Sequence, residues 1–127
     1  YVSKNNLSEV VKISGRINNP YPLLKRSDIL LLSSKFEGLP NVLLEALALN
    51  KFIISSNCPT GPREILDNGK GGLLFKVGNN EELSKKIIIY QKDYKLCLKK
   101  MKHAQKRSIR FDYKKNLNKY FNLFKKL

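Results

Sequence analysis

Two glutamates separated by seven residues have the side chains best suited to chemistry in this sequence. Glu37 lies in a loop after an apolar run, and Glu45 lies among apolar residues in the segment 41–50. A carboxylate buried among apolar neighbours is unstable unless hydrogen-bond donors reach it, and ligand hydroxyl groups are one source of donors. The pair therefore suggests a site for a polar ligand. On spacing alone, a solvated Glu37 and a Glu45 that points to solvent or pairs with an arginine explain the pattern as well.

The elements that position these glutamates follow from the periodicity of the apolar residues. The runs 28–33 and 52–55 read as strands covered on both faces, and 10–13 and 72–75 read as shorter strands. Helical segments are predicted at 21–25, 41–50 and 62–66, and the helix at 41–50 is expected to be buried nearly all round. Alternating strands and helices predict an α/β fold with a Rossmann-like, doubly wound parallel sheet, followed by C-terminal helices.

The last third of the chain is expected to be helical, because no Gly or Pro occurs from residue 81 onward. Asp112 is suited to cap the final helix. That helix carries an apolar stripe at Leu117, Tyr120, Phe121 and Phe124. We therefore divide the chain into a partial Rossmann-like domain at 1–91 and a basic helical region at 92–127 that packs on it.

The loop–helix segment 33–48 has the context of a ligand site. In open α/β sheets, ligands bind at the carboxyl ends of the strands, where this loop lies. The free amides and positive dipole end of the following helix favour an anionic phosphate group. Gly38 leaves the backbone open to close approach by a ligand.

With its flanking residues, this segment resembles the E-x7-E motif of family 4 glycosyltransferases and related retaining GT-B enzymes. The resemblance extends over roughly residues 9–91. It is carried by Phe36-Glu37-Gly38-Leu39-Pro40-Asn41, Leu44-Glu45-Ala46-Leu47-Ala48, the loop and short helix Cys58 to Leu66, and Gly71-Gly72-Leu73-Leu74-Phe75.

The resemblance implies roles for particular residues. Glu45 is expected to bind the ribose hydroxyls of a nucleotide, and Glu37, as the catalytic residue, to contact hydroxyls of the transferred sugar. Ile17 and Arg16 are expected beside the base. The donor's sugar and phosphates are expected to lie along the backbone of Gly38, Leu39, Pro40, Asn41 and Val42. No metal or other cofactor is expected.

The resemblance also implies an activity. A hexose or N-acetylhexosamine would pass, with retention, from a nucleotide sugar (UDP-sugar favoured) to a glycan or lipid-linked acceptor in bacterial surface polysaccharide synthesis. The phosphate-binding Arg and Lys and the acceptor-binding N-terminal domain of such enzymes are expected upstream of Tyr1. The 127 residues alone are therefore expected to be inactive.

The positive charge is concentrated in residues 85–127, which carry 15 Lys and Arg against two Asp. A basic helical region suits an anionic membrane surface, nucleic acid or an acidic partner. The alternative function is therefore a non-enzymatic basic module, although no nucleic-acid recognition motif accompanies the charge and nucleic acid is the less favoured partner. The charge is explained equally well by a lysine-rich composition that serves no particular function. If the chain is part of a glycosyltransferase, the basic region 85–127 suggests a cytoplasmic enzyme held peripherally on the inner face of the cell membrane.

Other catalytic classes are disfavoured. A glycoside hydrolase needs two carboxyl groups facing one bond, whereas these acids share one short segment and the chain has no Trp. The single histidine, His103, lies in a lysine-rich stretch without a nearby acid and is expected to be a solvated surface residue. Cys58 and Cys97 lie too far apart in sequence to suggest a metal-ligand pair.

Overall fold

Three parallel strands form the sheet of this protein, in the order β1–β2–β3. The structure is a computed structural model that describes residues 1–126. The strands are β1 (Ile29–Leu32), β2 (Phe52–Ser56) and β3 (Leu73–Phe75). Ile29 pairs with Phe52, and Ile54 with Leu73, so all carboxyl ends of the strands lie at one edge of the sheet.

Helices connect the strands and continue after them. They are α1 (Tyr21–Arg26), α2 (Asn41–Ala48), α3 (Pro62–Ile65), α4 (Asn80–Lys92), α5 (Tyr94–Ser108) and α6 (Tyr113–Phe124), with short 3-10 helices at Ser3–Asn5 and Ile109–Phe111. The predicted α/β architecture is thus confirmed. The predicted cap of the last helix is also present, because Asp112 Oδ1 accepts a hydrogen bond of 2.9 Å from the amide of Lys115.

The core lies on both faces of β2, whose five residues are all buried. Because strand side chains alternate, Ile53 packs in one cluster with residues of α1, α2 and α3, and Phe52 and Ile54 pack in another against α4 and α5. Burial of each such side chain contributes about 1.5–3 kcal/mol. The sheet is therefore held between two layers of helices, as the doubly wound prediction requires.

Burial differs from the sequence expectation at β1 and α2. Leu31 is 40% exposed, so β1 is not covered on both faces. Helix α2 buries Leu43, Ala46 and Leu47 on one face, whereas Asn41 and Ala48 are exposed. The expectation of a helix buried nearly all round is wrong, because the side of α2 that carries Asn41 and Ala48 meets solvent. Glu45 lies on the half-buried flank.

The strand predicted at 10–13 is absent from residues 1–126. The segment has no regular structure beyond a turn, and Val10 and Ile13 are 77% and 83% exposed. A short apolar run forms a strand only where a neighbour pairs its backbone groups and covers its side chains, and none does so here.

Helix α5 is fixed against the turn that leads into β3. An added Cβ on Gly71 would lie 2.8 Å from Cβ of Ala104, and the Lys100 ammonium donates to the Gly69 carbonyl at 2.6 Å. The Nε2 atom of His103 lies 2.7 Å from Oδ2 of Asp67. The expectation that His103 has no nearby acid is therefore wrong, since the fold brings in an acid 36 residues away in sequence.

The two thiols are enclosed by the fold, whereas the last helix is exposed. Cys58 and Cys97 are both free and buried. In contrast, the apolar stripe of α6 faces solvent, with Tyr120 64% and Phe124 68% exposed. No helix among residues 1–126 is long and apolar enough to cross a membrane.

The Asp67–His103 pair predicts a pH-dependent contribution to stability. The hydrogen bond with His103, followed by the charges of Lys70 and Arg107, holds the pKa of Asp67 below its ordinary value of 3.8 against a rise from partial burial. A lowered folded-state pKa stabilises the fold above the unfolded pKa, and this contribution disappears as pH falls through the folded value. Relative to the native protein, Asp67→Asn should lose stability at about pH 5, and the difference should shrink toward about pH 2.5.

The measurement is urea unfolding of both proteins across that pH range. Glu9→Gln, which neutralises an exposed acid without an ion pair among the described residues, is the control. A difference between Asp67→Asn and native protein that stays constant down to the lowest pH would contradict the assignment.

Candidate functional site

Glu37 is held at the carboxyl edge of the sheet by a chain of hydroxyl groups. The Ser56 hydroxyl, at the end of β2, donates to the Ser34 carbonyl at 2.6 Å, and the Ser34 hydroxyl donates to Oε1 of Glu37 at 2.6 Å. The Thr60 hydroxyl donates to the Glu37 carbonyl from the next loop. Both the backbone and one carboxylate oxygen of Glu37 are therefore fixed. Its Oε2 has no protein donor within the described residues and can accept a ligand hydroxyl.

The loop containing Thr60 reaches Glu37 because its next residue is a glycine. Gly61 has a φ of +81°, and a Cβ there would overlap the carbonyl oxygen of Gly38 and Cδ of Pro40. A side chain at this position would push the two loops apart. Gly38 itself has open space around the position of a Cβ, so its lack of a side chain leaves room for a ligand.

The first turn of α2 faces the same edge without a side-chain cap. Pro40 precedes the helix, and no side chain accepts a hydrogen bond from the first amides. Pro40 is buried, Leu39 and Asn41 are exposed, and Val42 is half-buried. Uncapped amides at a helix N-terminus carry partial positive charge and suit an anionic oxygen.

Glu45 lines an apolar crevice of about 270 Å³ between α1 and α2. Val42 forms the wall beside it, and Leu23 of α1 and Leu30 of β1 lie across from it. Within residues 1–126, no Lys, Arg or His nitrogen lies within 4 Å of the Glu45 carboxylate. The sequence alternative in which Glu45 pairs with an arginine is therefore not what this structure shows.

The structure brings together most of the predicted site residues but not all. Glu37, Gly38, Leu39, Pro40, Asn41, Val42 and Glu45 occupy one continuous loop–helix segment. In contrast, Arg16 and Ile17 lie on the exposed irregular segment 11–19, and neither lines the crevice beside Glu45. The proposed contact of Ile17 with a base remains a prediction.

Sequence reasoning missed the residues that support Glu37. Ser34, Ser56 and Thr60 act through single hydroxyl groups from three places in the chain, and only the parallel pairing of β1 with β2 brings them together. One signal was available, because Ser55 and Ser56 end a buried apolar run and buried hydroxyls need partners. Among the described residues, no group of three or more His, Cys, Asp or Glu is arranged to hold a metal ion.

The fold is close to the C-terminal Rossmann-like domain of GT-B glycosyltransferases. The crystal structure of Anabaena Alr3699/HepE in complex with UDP superposes with a TM-score of 0.87 at 23% identity, over 99% of this chain and 35% of that one. The model of the family described as Glycosyl transferases group 1 matches residues 1–107. The chain therefore belongs to the glycosyl transferases group 1 family.

Two curated relatives from Campylobacter jejuni show which enzymes this chain is similar to. One is N,N'-diacetylbacillosaminyl-diphospho-undecaprenol alpha-1,3-N-acetylgalactosaminyltransferase, 34% identical over 92% of this chain. The other is N-acetylgalactosamine-N,N'-diacetylbacillosaminyl-diphospho-undecaprenol 4-alpha-N-acetylgalactosaminyltransferase, 31% identical over 87% of this chain. The chain covers 31% and 30% of their lengths.

The approach of the two loops can be tested through Gly61. We expect Gly61→Ala to destabilise the protein by about 2 kcal/mol more than Gly78→Ala. Both glycines have positive φ values, +81° and +76°, but a Cβ at Gly78 meets open space. Gly78→Ala therefore reports backbone strain alone, about 1 kcal/mol. Urea unfolding measures the free energy of unfolding of both variants. Equal losses of stability would show that the close approach of the two loops does not depend on a missing side chain at Gly61.

Proposed function

We propose that this chain is the donor-binding part of a retaining glycosyltransferase that uses a nucleotide sugar, with UDP as the favoured nucleotide. The observation that carries the proposal is the placement of Glu37 and Glu45 on one loop–helix segment at the carboxyl edge of the sheet, with Glu45 in an apolar crevice. A crevice with apolar walls and one carboxylate suits a nucleoside, whose ribose hydroxyls donate hydrogen bonds. The choice of UDP is supported by the Anabaena structure of similar fold, which is a complex with UDP.

Glu37 has the geometry to orient the transferred sugar. Because Ser34 occupies its Oε1, its Oε2 is presented in one fixed direction to the sugar hydroxyls. When the sugar leaves the diphosphate, it gains oxocarbenium character and negative charge grows on the phosphate. Amides of the α2 first turn, already oriented, stabilise that charge without reorganisation. We propose that helix amides and basic side chains suffice for this and that no metal takes part.

The acceptor is proposed from the relatives. Both Campylobacter enzymes are named for transfer of N-acetylgalactosamine to glycans on a diphospho-undecaprenol lipid. We propose a hexose or N-acetylhexosamine as the transferred sugar and a lipid-linked or related glycan as the acceptor, in bacterial surface glycan synthesis. Because the chain spans about a third of these relatives, we propose that further residues supply the main acceptor domain and the basic groups that bind the diphosphate. The 127 residues alone should then transfer no sugar.

The nucleotide site is tested by calorimetric titration of UDP, GDP and ADP into the protein at its full natural length. We expect UDP to bind most tightly and Glu45→Ala to weaken that binding by about 1–3 kcal/mol, because ribose hydroxyls lose a charged acceptor. Glu81→Ala, which removes an exposed carboxylate of α4, is the matched control and should bind as the native protein does. A folded native protein that binds none of the nucleotides would remove the proposal.

A peripheral contact with anionic membrane is a second part of the proposal. Lys95, Lys99, Lys102 and Lys106 recur every three or four residues along α5 and are all exposed, opposite the buried Cys97 and Ala104. Such a stripe presents four positive charges to one surface, and each lysine near an anionic bilayer contributes about 1 kcal/mol. This position suits an enzyme whose acceptor is a membrane lipid.

Vesicle co-sedimentation tests this contact. Replacement of the four α5 lysines by glutamine should reduce binding to phosphatidylglycerol-containing vesicles by at least about tenfold. Replacement of Lys4, Lys12, Lys25 and Lys35, also exposed, removes the same charge from elsewhere and should have a smaller effect. If the native protein sediments equally with neutral and anionic vesicles, the membrane contact is refuted.

A further inference from the structure

A second groove opens beside Glu37 and is separate from the crevice around Glu45. It has a volume of about 740 Å³, within the usual range for ligand sites, and shares no lining residue with that crevice. One wall is the site loop itself, at Gly38 and Leu39, and the opposite wall is formed by one side of α6 and the 3-10 helix before it. The groove is therefore a second place where a ligand can lie beside the site loop.

The groove adjoins the loop beside which the transferred sugar is proposed to lie. Gly38 and Leu39 directly follow Glu37, and Thr60, which holds the Glu37 carbonyl, lines the groove as well. A molecule in this groove therefore lies next to the sugar held by Glu37. In a transfer reaction, the acceptor must occupy such a position.

The walls of the groove combine apolar surface with unbalanced positive charge. Leu39, Tyr120 and Leu123 contribute exposed apolar side chains. Arg110 and Lys119 contribute two cations, and within residues 1–126 neither has a carboxylate oxygen within 4 Å. Glu64 is the single acid of the lining, so the groove keeps a net positive charge.

Arg110 is oriented by the protein. Its guanidinium group donates through Nη2 to the Glu64 carbonyl and lies 4.9 Å from the centre of the Phe111 ring. A guanidinium fixed in this way loses little freedom on meeting a phosphate, and its planar fork matches phosphate oxygens better than an ammonium does.

We propose that this groove binds the diphosphate and the adjoining apolar chain of a lipid-linked acceptor. The inference rests on the proposed function and extends it, because it assigns part of the acceptor site to this chain. Arg110 and Lys119 bind the diphosphate, and Leu39, Tyr120 and Leu123 contact the first part of the lipid. The acceptor's terminal sugar then lies toward Glu37.

The test uses the full-length enzyme with UDP-sugar donor and a lipid-diphosphate-linked sugar acceptor. Lys119→Gln and Tyr120→Ala should each raise the KM for this acceptor by about tenfold or more and leave the KM for the donor unchanged. Lys125→Gln and Tyr113→Ala are matched controls, since both residues lie on or next to α6 but outside the groove lining. A sugar acceptor that lacks diphosphate and lipid should show the same KM in native and variant enzymes.

A binding measurement independent of turnover completes the test. Geranylgeranyl diphosphate should compete with the acceptor in the native enzyme and about tenfold less well in Lys119→Gln, whereas inorganic diphosphate should compete weakly in both. An unchanged acceptor KM in both groove variants overturns the proposal, as does a rise in the donor KM, which would assign the groove to the nucleotide sugar. If the two groove variants also have lower thermal stability than the native enzyme while their acceptor KM is unchanged, the proposal is overturned in favour of a groove filled by another part of the same protein. Failure of the native enzyme to bind UDP would instead refute the proposed function itself.

Discussion

The position of Glu37 depends on how closely two loops approach at the carboxyl edge of the sheet. Thr60 can reach the Glu37 carbonyl only because Gly61 has no side chain to collide with Gly38 and Pro40. That approach in turn needs β1 and β2 to be paired in register, so that Ser34, two residues past the end of β1, meets Ser56, the last residue of β2. The central strand, buried on both faces, holds this register. A slip by one residue would turn Ile53 toward the cluster that contains Phe52 and Ile54, and would turn those two side chains toward the cluster of Ile53.

The parts of the fold that the sequence predicted are those determined by local pattern. Strand β2, helix α2 and the Asp112 cap each follow from a few neighbouring residues, and each is found within one or two residues of its predicted bounds. The failures depend on distant contacts. The run 10–13 has the composition of a strand but no partner strand, and the neighbour of His103 is an acid 36 residues away. Neither fact can be predicted from the neighbouring residues in the sequence alone.

The candidate site shows the same division. Glu37, Gly38 and Glu45 could be chosen from the sequence because residue type and spacing carry the chemistry. The hydroxyls of Ser34, Ser56 and Thr60 could not, because serine and threonine are common at strand ends and their roles depend on which carbonyl or carboxylate lies opposite. Burial was misjudged for a related reason: the apolar residues around Glu45 suggest a fully enclosed helix, but no other element covers the side of α2 that carries Asn41 and Ala48.

The two buried thiols can be used to detect local opening of the fold. Cys58 lies at the start of the loop that supports Glu37, and Cys97 lies on the face of α5 that covers the sheet; each is only 1% exposed. A buried thiol reacts with a small alkylating reagent only during a local opening, so its reaction rate measures how often that region opens. A ligand that clamps the site loop would slow the labelling of Cys58 more than that of Cys97. The native sequence thus carries separate probes for the site and for its scaffold without any added label.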